Sequence, residues 1–352
     1  MSQSVDAPNR SSSFGQQIVN ALARYGLMIL LAFALFGALL LVSGKDPFQS
    51  YKDIITRTLG SAYGFSEVIV AMIPMLITAL AVALPSRVGL INVGGEGQLY
   101  IGAAFATWGA LTFRNQPAWM LLPVMMLLGM LGGALWAFVP GYLKAIGLVN
   151  ETITTLLLNS VAPKIVGFLI FGFWHSPMDT VKTSNFVPAA RLPTFFGTRI
   201  HLGFLFALVL LIAFWLLMKN TRWGLEMRAI WGNPQAARRN GIPVKTYLIT
   251  MMCVGGAIAG LAGMAQVSGF YGVLLLNFSM GLGFMGFLIC WLAGGDSAGI
   301  LLLSFVVAII TTGGNLLQLT RDVPYAVINI LLAFTLFVVL ARPTFSVRGR
   351  KP

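Results

Sequence analysis

The chain has 352 residues, of which 57% are hydrophobic and only 9% are charged, and its mean hydropathy is +0.85. Charged residues make up about a quarter of an ordinary soluble domain, so this composition excludes a soluble globular protein and indicates an integral membrane protein. The formal net charge of +13 comes from basic residues scattered between apolar runs, which argues against a nucleic-acid-binding face.

Apolar runs long enough to cross a bilayer recur along the sequence and predict an all-α bundle of about ten transmembrane helices rather than a strand barrel. The eighth run is short and fits a broken or re-entrant helix. The runs lie at residues 25–43, 67–85, 92–113, 118–141, 150–173, 201–218, 247–271, 280–294, 299–317 and 323–341. Before them, Phe14, Ile18 and Leu22 fit either a short interfacial helix or a disordered tail.

The charges in the loops orient the predicted bundle. Lys and Arg concentrate in the loops on one side, and six of them lie in the loop at 219–246. Because cytoplasmic loops carry the excess of Lys and Arg, we expect this loop and both termini to be cytoplasmic. The sequence then divides into a tail at 1–24, a transmembrane domain at 25–341 and a basic cytoplasmic tail at 342–352.

Glycine clusters occur at comparable places in the two halves, in "INVGGEGQLYIGA" at 91–103 and "SMGLGFMGFLICWLAGG" at 279–295. They indicate an inverted internal repeat, in which the second to fifth runs match the seventh to tenth. Most glycines within the runs, such as Gly256 and Gly260, are expected to let helices approach closely. The others mark candidate broken helices, which line the substrate path in transporters.

A polar stretch, "RAIWGNPQAARRNG" at 228–241, stands out in this apolar chain. Asn233 fits an N-cap, Pro234 fits the first helical position and Gly241 fits the C-terminal stop, so the stretch predicts a helix at 234–240. A helix of this length is not stable alone in water, so another surface has to hold it.

Two interpretations of this stretch remain open. In the first, the small side chains of Ala236 and Ala237 let a cytoplasmic partner approach the helix backbone, and Arg238 and Arg239 complement the helix dipole in the last turn. In the second, the stretch is a solvated loop whose positive charges only fix the membrane topology.

The stretch extended by one residue, "RAIWGNPQAARRNGI", resembles the coupling-helix motif of permease subunits of ATP-binding-cassette (ABC) importers for branched-chain amino acids, simple sugars and nucleosides. "LPSRVGLINVGGEGQLYIGA" at 84–103 is similar to the third-span signature of that branch. "NETITTLLLNSVA" at 150–162 is similar to the fifth-span motif of its nucleoside members. The resemblance covers residues 67–341, and Trp231 stands where a smaller residue is expected.

The resemblance implies a type II ABC importer permease in the bacterial cytoplasmic (inner) membrane. Such a permease pairs with a second permease, identical or related, over cytoplasmic ABC ATPases, and an extracytoplasmic substrate-binding lipoprotein delivers the solute. This chain would carry no cofactor and would be no enzyme, since ATP and Mg²⁺ belong to the ATPase. Its only Gly-Lys pair, Gly44-Lys45, lacks the rest of a phosphate-binding loop.

The resemblance favours ATP-driven alternating access for nucleosides, with a ribose-like sugar or a branched-chain amino acid as the alternative substrate. An ion-coupled secondary transporter would need intramembrane acids, and only Glu96 is suitably placed. A membrane-embedded enzyme would need a nucleophile and base or a metal set, and the sequence offers neither. Cys253 and Cys290 fit buried apolar positions. His175 and His201 are expected to be solvated in a loop.

Two groups of site residues follow. The resemblance assigns coupling to the ATPase to Arg228, Gly232, Asn233, Pro234, Ala236, Ala237, Arg238 and Gly241. Polar and aromatic residues near the broken helices are candidates for the substrate path, namely Asn92, Glu96, Gln98, Asn159, Phe284 and Asn315. Each candidate also has a structural interpretation: Glu96 could stabilise a helix N-terminus, the asparagines could join helices, and Phe284 could pack.

Overall fold

The computed structural model describes residues 44–175, 181–195 and 197–321, together with residues 34, 37–38, 40–42 and 330. The predicted tenth run apart from residue 330, most of the first run, the N-terminal interfacial helix and the basic C-terminal tail lie outside the described residues. The chain divides into two compact units, one of residues 55–313 and the other of residues 1–54 with 314–352.

The described part of the chain is helical, as predicted, and its only extended pairings are two isolated bridges. The helices are α1 (Pro47–Thr58), α2 (Ala62–Ser86), α3 (Gly95–Thr112), α4 (Ala118–Ala145), α5 (Glu151–Phe171), α6 (Gly203–Asn220), α7 (Arg222–Gly232), α8 (Pro234–Arg239), α9 (Val244–Ala265), α10 (Leu282–Leu292) and α11 (Ser297–Arg321). A 3₁₀ turn at Pro188–Ala190 precedes α6, and a π-helical turn at Gln266–Tyr271 continues α9.

Six of the described helices are long and apolar enough to cross a membrane, namely α2, α4, α5, α6, α9 with its π-helical turn, and α11. Helix α10 has only 11 residues and is therefore about 16 Å long, too short to cross the hydrocarbon core. The prediction that the eighth run is short is confirmed. The count of ten spans, the cytoplasmic termini and the internal repeat stay predictions.

Helix α2 is buried along most of its length and packs against α9, α10 and α6. Pro85 has no N–H, so the carbonyl of Ala81 loses its helical hydrogen bond. Helix α9 approaches at this point, where a β-carbon on Gly255 would lie 2.6 Å from that carbonyl oxygen. Only glycine leaves room for so close a contact between the two backbones.

Helices α3, α4 and α9 meet at a junction of glycines. A β-carbon added to Gly260 would lie 2.1 Å from the carbonyl oxygen of Gly129, and one added to Gly133 would lie 2.1 Å from that of Gly256. One added to Gly102 would lie 2.2 Å from the Cα of Gly260. The prediction that Gly256 and Gly260 allow close helix packing is confirmed.

The segment before α6 pairs with the backbone that follows α9. The amide of Thr183 donates to the carbonyl of Leu274 at 3.1 Å, and the amide of Leu192 donates to that of Ser268 at 3.2 Å. The Ser268 hydroxyl in turn donates to the carbonyl of Ala190 at 2.6 Å. These bonds fix one irregular segment against the other.

His201, which ends this segment, is only 1% exposed, so the expectation that it is solvated was wrong. The backbone of Gly203 and Gly269 leaves room for its ring: a β-carbon on either would clash with it. Nδ1 accepts a bond from the Gly203 amide at 3.2 Å, and Nε2 has no hydrogen-bond partner in the described part of the chain. Burial lowers the pKa of His201 to about 4. His175 is exposed, as expected.

In the unit of residues 1–54 and 314–352, the start of α1 is capped by Asp46. Its carboxylate accepts a bond from the Gln49 amide at 3.2 Å, and its carbonyl accepts one from the Ser50 hydroxyl at 2.7 Å. Asn315 lies on the α11 portion of this unit and is exposed.

Candidate functional site

Helix α8 forms where the sequence predicts it, within one residue at its C-terminal end. The side chain of Asn233 caps it by accepting bonds from the amides of Gln235 and Ala236, both at 3.0 Å. At the other end Gly241 has a φ of +81°, a left-handed conformation that glycine adopts without strain. The local signals read from the sequence therefore define both ends of the helix.

Helix α8 has an inner and an outer face. Ala237 is only 4% exposed and is buried within its own chain, as are Ile230 of α7 and Val244 of α9. Gln235, Ala236 and Arg239 are exposed. The two alanines that the sequence offers as one contact surface therefore have different environments, and only Ala236 is available to another protein.

Two side-chain contacts join α7 to its neighbours, and an ion pair within α7 supports one of them. Arg228 donates to the carbonyl of Met218 in α6, and the Tyr247 hydroxyl of α9 donates to the Glu226 carboxylate of α7. Arg222 pairs with the same carboxylate at 2.6 Å. The bonds from Tyr247 and Arg222 hold the pKa of Glu226 below its usual range. Helix α7, which leads directly into α8, is thus fixed to α6 and α9.

A second group of predicted residues surrounds the start of α3. The side chains of Asn92 and Gln98 exchange two hydrogen bonds, at 3.1 and 3.0 Å, and Asn92 also accepts one from the Gly94 amide at 3.0 Å. Both side chains are buried. Their hydrogen bonds therefore shape the turn that precedes α3.

Asn159 joins α5 to the same turn. Its side-chain oxygen accepts a bond from the Gly97 amide at 2.8 Å, and its side-chain nitrogen donates to the Val93 carbonyl at 2.8 Å. The residue is buried, and both ends of its amide group are paired with backbone. Asn159 thereby fixes the position of α5 relative to the first turn of α3.

Glu96 joins α3 to α10. Its carboxylate accepts bonds from the amides of Gly281 at 3.2 Å and Gly283 at 2.7 Å, at the N-terminus of α10. A carboxylate at this end of a helix satisfies free N–H groups and is stabilised by the helix dipole. Before α10 the backbone is left-handed at both Met280 and Gly281, so an α-helix cannot continue through these two residues.

The fold brings four of the six substrate-path candidates together, since Asn92, Glu96, Gln98 and Asn159 all lie where α3, α5 and α10 meet. Phe284 lies in the first turn of α10 and is 37% exposed. The hydrogen bonds of the four polar side chains are made within the protein, as in the structural interpretation of these residues. Their contact with a substrate stays a prediction, as does that of Phe284 and of Asn315.

Comparison with known proteins decides the family. Residues 64–340 match the family described as branched-chain amino acid transport system / permease component. The chain belongs to this permease family. The resemblance read from its motifs is confirmed.

Three curated relatives align with nearly the whole permease. A glucose ABC transporter permease of Haloferax volcanii is 32% identical, over 94% of this chain and 91% of the relative. A nucleoside ABC transporter permease of Lactococcus lactis is 29% identical over 90% of each chain. A guanosine ABC transporter permease of Bacillus subtilis is 30% identical, over 89% of this chain and 91% of the relative.

Sequence reasoning missed one half-buried ion pair in this permease. The carboxylate of Glu151 at the start of α5 lies 2.6 Å from the ammonium of Lys144 at the end of α4. Glu151 stands beside the N-cap Asn150 inside a motif that the sequence analysis noted. Its position indicated a helix start, but nothing in the local sequence indicates that Lys144 is its partner.

Proposed function

We propose that this permease forms the membrane path of a bacterial ABC importer for nucleosides in the cytoplasmic membrane. In the proposed complex a second permease completes the path, cytoplasmic ATPases hold ATP and Mg²⁺, and an extracytoplasmic lipoprotein delivers the nucleoside. The observation that carries the proposal is helix α8, which is capped at both ends, seated by Ala237 and exposed on one face.

In the proposed mechanism α8 moves as a rigid body when the ATPases close on ATP. Helix α7 passes the movement to α6 and α9 through Arg228 and Glu226. Helix α9 packs on α3 through the glycine junction, and Glu96 links α3 to α10. Packed elements joined in this way provide a continuous route by which α8 could bias two arrangements of the bundle.

The coupling residues divide into three roles under this proposal. Ala236 contacts the ATPase, together with the exposed Gln235 and Arg239 beside it. Ala237 packs the helix against the rest of the chain. The remaining residues give the helix its ends and its attachment to α7, namely Arg228, Gly232, Asn233, Pro234, Arg238 and Gly241.

For the substrate path we assign a positioning role to the buried polar residues at the start of α3. Their donors and acceptors hold α3, α5 and α10 in place. Phe284 in the first turn of α10 keeps part of its ring exposed and could stack on a nucleobase.

The nucleoside and guanosine permeases among the relatives support a nucleoside as the substrate. The glucose permease of Haloferax volcanii favours a second candidate function, import of a simple sugar. The two substrates differ in one feature that the permease could recognise. A nucleoside carries a planar aromatic base, and a sugar does not.

Transport by the purified complex in proteoliposomes tests the proposal. We expect the permease with its ATPase, second permease and binding lipoprotein to take up radiolabelled guanosine only with hydrolysable ATP. Uptake should persist with a protonophore and with excess unlabelled glucose. Uptake of glucose alone would establish the sugar function instead. Guanosine uptake driven by an ion gradient without the ATPase would contradict the whole assignment.

A further inference from the structure

A cleft of about 620 Å³ opens beside α8. Its walls come from the turn after α2, the C-terminal end of α4, the end of α7, the start of α9 and one side of α8. Its volume lies in the range of roughly 300 to 1,000 Å³ that is usual for small-molecule sites. Pro234 and Arg238 of its lining are also coupling residues, but neither the family resemblance nor the proposed transport cycle places a ligand in this cleft.

The cleft is positively charged. Three cationic side chains line it, Lys144, Arg238 and Lys245, and no carboxylate is among its lining residues. The charge of Lys144 is compensated by the buried carboxylate of Glu151. Elsewhere in the described part of the chain, no carboxylate lies within ion-pair distance of Arg238 or Lys245. Two positive charges from two different helices therefore remain available to an anion.

The cleft also presents an aromatic surface. The side chain of Trp231 lines it and is 68% exposed, although an indole is mostly buried in folded proteins. Ile230, Val244 and Leu248 add apolar walls. An exposed indole beside two uncompensated cations suits a ligand that has both a planar ring and a phosphate.

We propose that this cleft binds a nucleoside monophosphate, with the phosphate between Arg238 and Lys245 and the base on Trp231. The choice of a nucleoside phosphate rests on the proposed function. Transfer of a phosphoryl group from a nucleoside triphosphate to a hydroxyl of an imported nucleoside produces this anion in the cytoplasm and releases the nucleoside diphosphate. Pro234 and Arg238 belong to α8, whereas Lys245 belongs to α9. A bound phosphate therefore joins α8 to α9 and opposes any independent movement of α8, so the ligand inhibits transport.

Binding is measured first on the full-length permease alone, in nanodiscs of zwitterionic lipid, with radiolabelled guanosine monophosphate as the probe. We expect saturable binding that Arg238→Gln and Lys245→Gln each weaken at least about tenfold, since each removes a charge-assisted contact. Trp231→Leu should weaken the binding of guanosine monophosphate more than the binding of inorganic phosphate. Arg239→Gln is the matched control, because this neighbouring arginine does not line the cleft, and it should bind as the wild type does.

The phosphate of a lipid headgroup could occupy the same cleft. A second binding experiment distinguishes it from a nucleoside monophosphate. Nanodiscs that contain phosphatidylglycerol should leave guanosine monophosphate binding unchanged. Loss of binding in these nanodiscs would assign the cleft to a lipid headgroup and overturn the proposal. Equal binding by the wild type and the Arg238→Gln variant would also overturn it.

Transport by the complete complex tests the inhibition. Guanosine monophosphate on the cytoplasmic side should lower the uptake of the wild type severalfold but leave that of the Lys245→Gln variant unchanged. Equal inhibition of the wild-type and Lys245→Gln complexes would show that guanosine monophosphate acts on the ATPase, and this would contradict the proposal. Guanosine uptake without monophosphate binding would refute this inference alone, whereas monophosphate binding by a sugar importer would refute only the proposed substrate.

Discussion

At the scale of single residues, Glu96 links two widely separated parts of the chain. It stands near the start of α3, yet its carboxylate bonds to amides 185 and 187 residues further along the sequence. The sequence identified Glu96 as a polar residue beside a glycine cluster and offered helix-terminus stabilisation as one interpretation. It could not name α10 as the helix, because local patterns contain no information about which elements meet.

Replacing Glu96 with Ala leaves two amides at the start of α10 without their partner. We expect a loss of about 2–3 kcal/mol in the free energy of unfolding, because unpaired buried N–H groups keep their full desolvation cost. Thermal unfolding of the solubilised permease measures it. The control is Glu67→Ala, whose carboxylate pairs at 3.0 Å with the exposed Arg199 and should contribute less than about 1 kcal/mol. Equal losses would show that Glu96 does not stabilise α10.

His201 predicts how stability depends on pH. Burial lowers its pKa to about 4 in the folded protein, against about 6.5 in an unfolded chain, so between these values the unfolded state binds more protons. Above pH 6.5 the ring is neutral in both states, and the free energy of unfolding has its full value. It falls by about 3 kcal/mol as the pH drops to 4. His201→Gln should remove this part of the pH dependence, and the exposed His175→Gln should not. Unchanged pH profiles in both variants would contradict the assignment.

At the scale of elements, α8 shows what local sequence determines. An N-cap Asn, a Pro at the first position and a Gly just after the end are local signals, so both helix ends were predicted to within one residue. Which alanine faces outward depends on how α7 and α9 pack, and the sequence treated Ala236 and Ala237 as equivalent. The exposure of one and the burial of the other come only from the tertiary fold.

The N-cap of α8 gives a prediction for this element. Asn233→Ala removes two capping bonds and should destabilise the helix by about 1 kcal/mol. We expect ATP-driven uptake to fall severalfold while the amount of permease in the membrane stays the same. Asn233→Ser restores a good N-cap and should restore uptake. If the Ala variant transports normally, the rigidity of α8 does not matter for coupling.

The glycine junction gives a second prediction at this scale. A β-carbon on Gly260 would lie 2.1 Å from a carbonyl oxygen of α4, so Gly260→Ala forces α4 and α9 apart. We expect a loss of about 1–3 kcal/mol, the usual cost of overpacking. Gly232→Ala is the control for unfolding, because no atom lies within 4 Å of a β-carbon there. Equal thermal stability of the two variants would show that the junction is loosely packed.

At the scale of the whole molecule, eight of the described helices, α2 to α6 and α9 to α11, coincide with apolar runs that the sequence predicted, whereas α1 and α7 lie outside them. This agreement has a physical cause, since a backbone in hydrocarbon must satisfy its own hydrogen bonds and does so within each run. The neighbours of each helix could not be predicted in this way. The central position of α2 and the meeting of α3, α4 and α9 depend on the shapes of the helix surfaces, which the apolar composition of a run does not specify.

The proposed ATPase contact has to pass through the exposed face of α8, and Ala236 lies on this face. The most direct measurement is ATP-driven guanosine uptake by proteoliposomes that carry the complete complex with Ala236→Glu, beside a matched Ala236→Ser complex. We predict that the Glu variant inserts and unfolds like the wild type but takes up guanosine only at background rate, while the Ser variant transports normally. Normal uptake by the Glu variant would contradict the claim that α8 couples this permease to an ATPase.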